Sequence, residues 1–216
     1  MPEADRIAAC LEPFVGGERV SAELAAKLQI YLDLLLRWNA RMNLTAVRDP
    51  EDIVTRHFGE SLFAARLLAE SGSFWRTEGA APTLTDIGSG AGFPGIPIKL
   101  YLPRIRLTLI ESRNKKATFL REVVRALDLP EVEVVCTRVE TWKRRTTVVT
   151  LRAVERFSRV LPLAAELVAD AGTLCLLTGG SQVPAVQRVP GWRVDEPISV
   201  PGSKARVVLL MGKIGS

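Results

Sequence analysis

The sequence predicts an α/β protein, a doubly wound and mostly parallel sheet preceded by a helical extension. Three observations predict it. Residues Thr83–Gly95 read as a short apolar strand entering a glycine-rich turn, the nucleotide corner of such sheets. From Leu84 onward, segments of strand period alternate with segments of helix period, as in a parallel sheet covered on both faces. In the first part of the chain, apolar residues recur at the spacing of a helix face.

The elements follow in order. After the Gly16-Gly17 break, Ser21 can cap a helix, with Glu23 in its first turn favouring the dipole. Leu24, Leu28, Tyr31, Leu35 and Trp38 form its apolar stripe, and Asn39 to Asn43 mark a turn. Asp49-Pro50 opens a second helix, with Asp49 as cap and Pro50 at the first helical position. Its buried face takes Ile53, Phe58, Leu62 and Ala65, and it fades at Ser71-Gly72-Ser73 before a Gly79–Pro82 linker. Strands are expected at Leu84–Ile87, Arg106–Glu111, Val132–Cys136, Val148–Leu151, Thr173–Leu177 and Val207–Met211, the last with an antiparallel neighbour at Trp192–Val194. Helices are expected around Ile96–Tyr101, over Asn114–Leu127 and over Arg156–Asp170. The division is a helical extension, 1–78, packed on a ligand-binding unit, 79–216.

Composition narrows the class. Lys and Arg number 29 against 24 Asp and Glu, a modest basic excess that permits a nucleic-acid partner without requiring one. Cys10, Cys136 and Cys175 are far apart and odd in number, which argues against a disulfide framework and for a reducing compartment. His57 is the only histidine, so no metal site is expected. No apolar run reaches the ~18 residues that a membrane span needs, and the acidic N-terminus does not read as a signal peptide. A cytoplasmic protein, taken as a monomer, is expected.

Gly90-Ala91-Gly92-Phe93-Pro94-Gly95 matches the spacing of a dinucleotide fingerprint. A pyrophosphate, however, is held by successive backbone N–H groups at a helix N-terminus. Pro94 and Pro97 remove donors from that position, and the tight turn begins early, at Gly88. Such a loop suits a ligand that lies close to the main chain and carries no diphosphate. Asp86, at the end of the apolar strand, can bond loop amides or a cationic ligand group.

Asp86-Ile87-Gly88-Ser89-Gly90-Ala91-Gly92 resembles the first motif of class I S-adenosylmethionine-dependent methyltransferases. Several further runs resemble one family of that class, the glucose-inhibited division protein B family of bacterial 16S rRNA guanine-N7 methyltransferases. They are Trp38-Asn39-Ala40-Arg41-Met42-Asn43-Leu44-Thr45-Ala46-Val47, Arg56-His57-Phe58-Gly59-Glu60-Ser61-Leu62 with Glu60 in place of the usual Asp, and the Phe93-Pro94-Gly95-Ile96-Pro97 tail of the glycine motif. Lys116 to Leu120, Arg138-Val139-Glu140, Arg152-Ala153-Val154 and Arg206 complete the match. Two positions depart from the pattern: Leu151 where Ser is usual, and Thr178-Gly179 where Lys-Gly is usual.

The resemblance implies S-adenosylmethionine as cofactor and a guanine in the 530-loop region of 16S rRNA, naked or in the small ribosomal subunit, as substrate. It implies that Asp86, Gly88, Gly90 and Phe93 surround the methionine end, that Glu111 takes the ribose, and that Val139 and Glu140 lie at the adenine. Arg152 is implied to face the cofactor and orient the guanine. Guanine N7 has a free lone pair, so no general base is required. Asn43, Arg56, His57, Arg113, Lys115 and Lys116 are the candidate RNA contacts. Plainer readings stand beside these: Glu111 as a helix N-terminal acid, His57 and Trp38 as packing residues, Asn43 as a turn residue, and the lysines and arginines as a solvated face. Rival functions are methylation of another RNA atom or of a small molecule, an NAD-dependent oxidoreductase, and an RNA-binding module that does not turn over.

Overall fold

The structure is a computed structural model of the 216-residue chain. It describes residues 3–72, 81–152 and 157–214. Ser73 at the expected helix end, Gly79 and Ala80 of the expected linker, Arg156 at the expected helix start, and the Ala153-Val154 pair lie outside the described residues.

The N-terminal helices form because their apolar stripes are capped and long enough to bury. Helix α1 (Glu3–Leu11) buries Ile7 and Leu11, and a 3₁₀ turn follows it and stops at Gly16, whose φ of 79° is left-handed. Helix α2 (Ala22–Met42) begins where Ser21 accepts the Leu24 N–H at 3.2 Å and buries Leu28, Tyr31 and Leu35 as the stripe requires. It does not turn at Asn39, as the sequence suggested, but continues to Met42 and ends on left-handed Asn43. The reason is that the Asn39 side chain points inward: its Oδ1 accepts the Thr45 N–H at 2.9 Å and its amide donates to the Val47 carbonyl. Asn39 thus braces the loop after the helix instead of breaking the helix.

Asp49 caps the next helix by accepting the Asp52 N–H at 2.9 Å, with Pro50 in the first turn. This helix is α3 (Pro50–Ile53), then a π-helical turn over Val54–Gly59, then α4 (Glu60–Glu70). The sequence pattern does not distinguish the π turn from the α-helix around it. Gly59 lets Phe14 lie against the turn, since a Cβ there would stand 2.7 Å from the Phe14 ring.

The strands are β1 (Thr83–Ile87), β2 (Arg106–Glu111), β3 (Val132–Cys136), β4 (Thr146–Arg152), β5 (Val168–Gly179), β6 (Trp192–Val194), β7 (Ile198–Ser199) and β8 (Arg206–Lys213). They lie in the order β3-β2-β1-β4-β5-β8-β6, with β7 also paired to β8. The first five are parallel, and β8 is antiparallel to both β5 and β6. Helices α5 (Gly95–Tyr101), α6 (Asn114–Ala126), α7 (Phe157–Glu166) and α8 (Val183–Val186) connect them. The helix expected to reach Asp170 ends at Glu166, because Val168 already pairs with Thr146. The register then shifts, and left-handed Ala171 and close-packed Gly172 carry β5 past the Thr147 carbonyl. β7 is short and exposed, and no period announces it.

Side chains on a strand alternate between faces, and this sets up the site. Val148 of β4, Cys175 and Leu177 of β5, and Val208 and Leu210 of β8 join one core with α1, α2, α4, α5 and α6. Val149, Leu151, Leu174, Leu176, Leu209 and Met211 join the other with α7 and α8. Asp86 and Thr150 pair in register, and Arg152 and Arg206 keep the parity of Val148 and Val208. All four therefore belong to the face covered by the N-terminal helices. The extension shares its core with that face. No described helix is long and apolar enough to cross a membrane, and no cluster of metal-ligating side chains occurs among the described residues.

Candidate active site

The strand order reverses between β1 and β4, and ligands of open α/β sheets bind beyond the carboxyl ends of the strands at such a point. The loop after β1 occupies that place. It is tied down by its own amides. Gly88 and Ser89 donate to the Ile110 carbonyl at 2.9 and 3.0 Å, and Gly92 and Phe93 donate to the Ser89 carbonyl. Gly90 donates to the Glu111 carboxylate at 3.0 Å and Gly95 to the Asp86 carboxylate at 3.3 Å. Pro94 has no N–H to give. These donors are spent inside the protein, so the loop does not present the row of amides that cradles a diphosphate.

Gly88, Gly90 and Gly92 have φ of 68°, 57° and 93°, a region that side chains disfavour. At Gly92 a Cβ would also stand 2.7 Å from Ile96 Cδ1. At Gly90 nothing is closer than the Gly88 carbonyl at 3.7 Å, which leaves the main chain open to a ligand. The Tyr31 hydroxyl of α2 donates to the Ala91 carbonyl and pins the outer side of the loop to the extension.

A cleft of about 490 Å³ opens beside the loop. Four of the residues expected at the cofactor meet in it: Gly88, Glu111, Val139 and Glu140. Glu111 is 6% exposed, and its carboxylate accepts the N–H groups of Gly90 and Arg113, at 3.0 and 2.7 Å. Those two bonds leave acceptor capacity on each oxygen for a hydroxyl. The sequence did not single out Thr137 or Arg159, which also line the cleft, because neither belongs to a run of recognisable spacing.

Asp86, Phe93 and Arg152 do not line this cleft. Asp86 is fully buried, and its carboxylate accepts the Thr150 hydroxyl at 2.7 Å as well as the Gly95 N–H. Burial raises its pKa to about 6, against the lowering effect of those hydrogen bonds. It supports the loop from beneath. The Phe93 ring packs among Tyr31, His57 and Phe58 at centroid distances of 5.4, 4.8 and 5.5 Å.

Arg152 ends β4 as a strand residue with its side chain 6% exposed. Its Nη2 shares its two hydrogens among three acceptors, the Arg56 carbonyl at 2.6 Å, Glu60 Oε2 at 2.9 Å and His57 Nδ1 at 3.0 Å. The π turn bears Arg56 and His57 and leads straight into Glu60. Burial and the Arg152 charge lower the His57 pKa to about 3, so the ring is neutral. Its Nδ1 then accepts from Arg152, and its Nε2–H donates to Thr45 Oγ1 at 2.7 Å. Glu60 Oε1 accepts Arg206 Nε of β8 at 2.7 Å. The sequence did not announce Glu60 as a partner of Arg152, nor Thr45 and Arg206 as the residues that hold His57 and Glu60 in turn. Each stands in a run quoted above, yet linear sequence does not say that the runs meet.

Among the candidate RNA contacts, Asn43, Arg56, Arg113 and Lys115 are exposed and Lys116 is half-buried at the cleft. Asn43 accepts from Arg48. His57 differs from them, since both of its ring nitrogens are engaged inside the protein. Thr178 is turned onto Gln182, and Leu151 is buried in the core beneath α7.

A 3-2-1-4-5 parallel sheet with an antiparallel strand, a glycine loop after β1 and an acid ending β2 define a class I S-adenosylmethionine-dependent methyltransferase. Solved structures with this fold include a ribosomal protein L11 methylase from Lactobacillus delbrueckii subsp. bulgaricus (TM-score 0.57, 11% identity, 72% of this chain and 79% of that one). Another is M. jannaschii TYW2 in complex with AdoMet (TM-score 0.52, 15% identity, 70% and 77%). The family model GidB, rRNA small subunit methyltransferase G, matches residues 24–188. Relatives named ribosomal RNA small subunit methyltransferase G include those of Xanthomonas euvesicatoria pv. vesicatoria (35% identity, 98% of this chain and 97% of the relative) and Chloroflexus aggregans (38%, 92% and 85%). The chain belongs to the rRNA small subunit methyltransferase G family.

Proposed function

We propose that the chain transfers the methyl group of S-adenosylmethionine to N7 of a guanine in the 530-loop region of 16S rRNA. The observation that carries the choice of atom is the state of the polar groups beside the loop. His57 and Glu60 are each held by protein partners, and Asp86 is sealed beneath the loop, so none is placed to take a proton from a substrate. Guanine N7 needs no such group, because its lone pair accepts the methyl without prior loss of a proton. When bound, S-adenosylmethionine supplies an electrophilic methyl on a sulfonium centre.

The residues present suit that cofactor. Gly88 and Gly90 allow close approach, Glu111 offers acceptors to the ribose hydroxyls, and Val139 and Glu140 border the adenine. Arg152 orients the guanine, and catalysis rests on positioning rather than proton transfer. Arg113, Lys115 and Lys116 contact phosphate near the cleft mouth, while Asn43 and Arg56 contact RNA from the extension. The reading takes residues 1–78 as the extension that presents RNA and 79–216 as the cofactor-binding unit, in a monomer acting in the cytoplasm on 16S rRNA or the small subunit.

The test is methyl transfer from labelled S-adenosylmethionine to 16S rRNA from a strain lacking this protein, with the modified nucleotide mapped by mass spectrometry. A 7-methylguanosine in the 530 loop is expected. A label on another atom, or none in RNA despite cofactor binding, would overturn the substrate reading.

A further inference from the structure

Glu60 is a carboxylate buried to 3% exposure, between two guanidinium groups that reach it from different strands. Burying ions is costly, and apolar residues of similar size serve stability as well or better. A buried ion pair of this kind calls for a reason beyond stability. The geometry supplies one.

We propose that Glu60 is a positioning residue that fixes the orientation of the Arg152 guanidinium for the substrate. The proposal rests on the reading that Arg152 orients the guanine.

Three acceptors converge on one nitrogen of Arg152, Nη2. Two of them, the Arg56 carbonyl and His57 Nδ1, come from the π turn, and the third is Glu60 itself. Nε of Arg152 is buried and has no hydrogen-bond partner among the described residues. The guanidinium plane lies near the Phe93 ring of the glycine loop, with Cζ 5.8 Å from its centroid. Among the described residues the side chain is therefore held by one corner, with the Nε donor left over.

A free arginine would grip both O6 and N7 of guanine, the commonest contact of this pair. That grip would occupy the lone pair that must attack the methyl. An arginine held by one corner can donate to O6 and leave N7 clear.

The charges agree. Arg152, Arg206 and Glu60 together, with neutral His57, leave one uncompensated positive charge. Without Glu60, the buried Arg152 and the half-buried Arg206 would face a substrate ring that becomes cationic as the methyl arrives. Glu60 removes half of that repulsion and cannot itself act as a base, since each oxygen is held by an arginine.

The decisive variant is Glu60→Gln, which keeps volume but turns an amide donor toward one of the two guanidinium groups. It is compared with wild type, Arg152→Ala and the double variant, with 16S rRNA as substrate. We expect kcat to fall about 100-fold, as for a small misplacement of a reacting group, with KM for RNA and affinity for S-adenosylhomocysteine within threefold of wild type. In the Arg152→Ala background the same substitution should change kcat less than twofold, because residues acting through one another are not additive. A second readout needs no turnover: the Arg152 Nε–H signal in the NMR spectrum should be slowly exchanging in wild type and lost in Glu60→Gln. An unchanged kcat, or full additivity with Arg152→Ala, would overturn the positioning role. If Arg152→Ala alone leaves kcat intact, the reading of Arg152 fails first, and the NMR signal then still reports whether Glu60 fixes the side chain.

Discussion

At the scale of single residues, two carboxylates of similar position do different work. Glu111 meets the cleft and shares its oxygens with the loop at Gly90. Replacing it with Ala removes charge-assisted hydrogen bonds of about 1.5–3 kcal/mol each. S-adenosylhomocysteine affinity measured by calorimetry should therefore fall roughly 10- to 100-fold, and an unchanged affinity would remove Glu111 from the ribose role. Asp86 is sealed beneath the loop, and its titration bears on stability.

The pH dependence follows from the two sealed groups. Burial raises Asp86 from 3.8 to about 6, so its contribution is fully present below pH 3.8 and lost as pH rises through 6. Burial lowers His57 from 6.5 to about 3, so its contribution is present above pH 6.5 and lost as pH falls toward 3. Between pH 4 and 6 the two oppose each other. Asp86→Asn can keep both bonds, its oxygen accepting from Gly95 and its amide donating to Thr150. It leaves His57 unopposed. The melting temperature of this variant should rise between pH 4 and 6.5 more steeply than that of wild type, and parallel curves would refute the assignment.

At the scale of elements, caps and close approaches carry predictions. Ser21 accepts the Leu24 N–H from an exposed cap position. Ser21→Ala should cost about 1 kcal/mol and lower the melting temperature by roughly 2–4 °C, with methyl transfer unchanged. Gly92 combines left-handed φ with a Cβ path into Ile96. Gly92→Ala must shift the loop that Glu111 and Asp86 hold, and cofactor affinity should drop at least 10-fold with a smaller loss of stability. Most elements were legible in sequence, since stripes, caps and alternating strands each have a local cause. Those that were not have causes elsewhere. Asn39 stays helical because its side chain reaches Thr45 and Val47, and the strand at Val168 begins early because Thr146 is beside it. At the π turn, Gly59 packs against Phe14, a contact made from outside the turn.

At the scale of the whole molecule, a modest positive balance is concentrated where it counts. Arg113, Lys116, Arg138 and Arg159 line the cleft together with Glu111 and Glu140, and Arg159 pairs with Glu140 at 3.5 Å. Replacing Lys116 by Ala should weaken 16S rRNA binding without changing the methylated position, and should reduce the slope of log affinity against log salt by about 1. An unchanged slope would show that Lys116 faces solvent rather than phosphate. The candidate site was half legible. Gly88, Glu111, Val139 and Glu140 do converge on one cleft, because strand ends and the loops after them gather at one edge of the sheet. Asp86, Phe93 and Arg152 do not line that cleft, and β-strand parity and the packed extension decide what each one touches.

The sequence by itself determined the fold class, the glycine loop and the family, because periodicity, glycine placement and motif spacing act over a few residues. Only the tertiary structure decided which polar groups meet. Thr45, His57, Glu60, Arg152 and Arg206 come from the loop before α3, the π turn, α4, β4 and β8, and they form one network. Their partners are chosen by the register of the sheet and by the way the extension covers it, which no local pattern encodes.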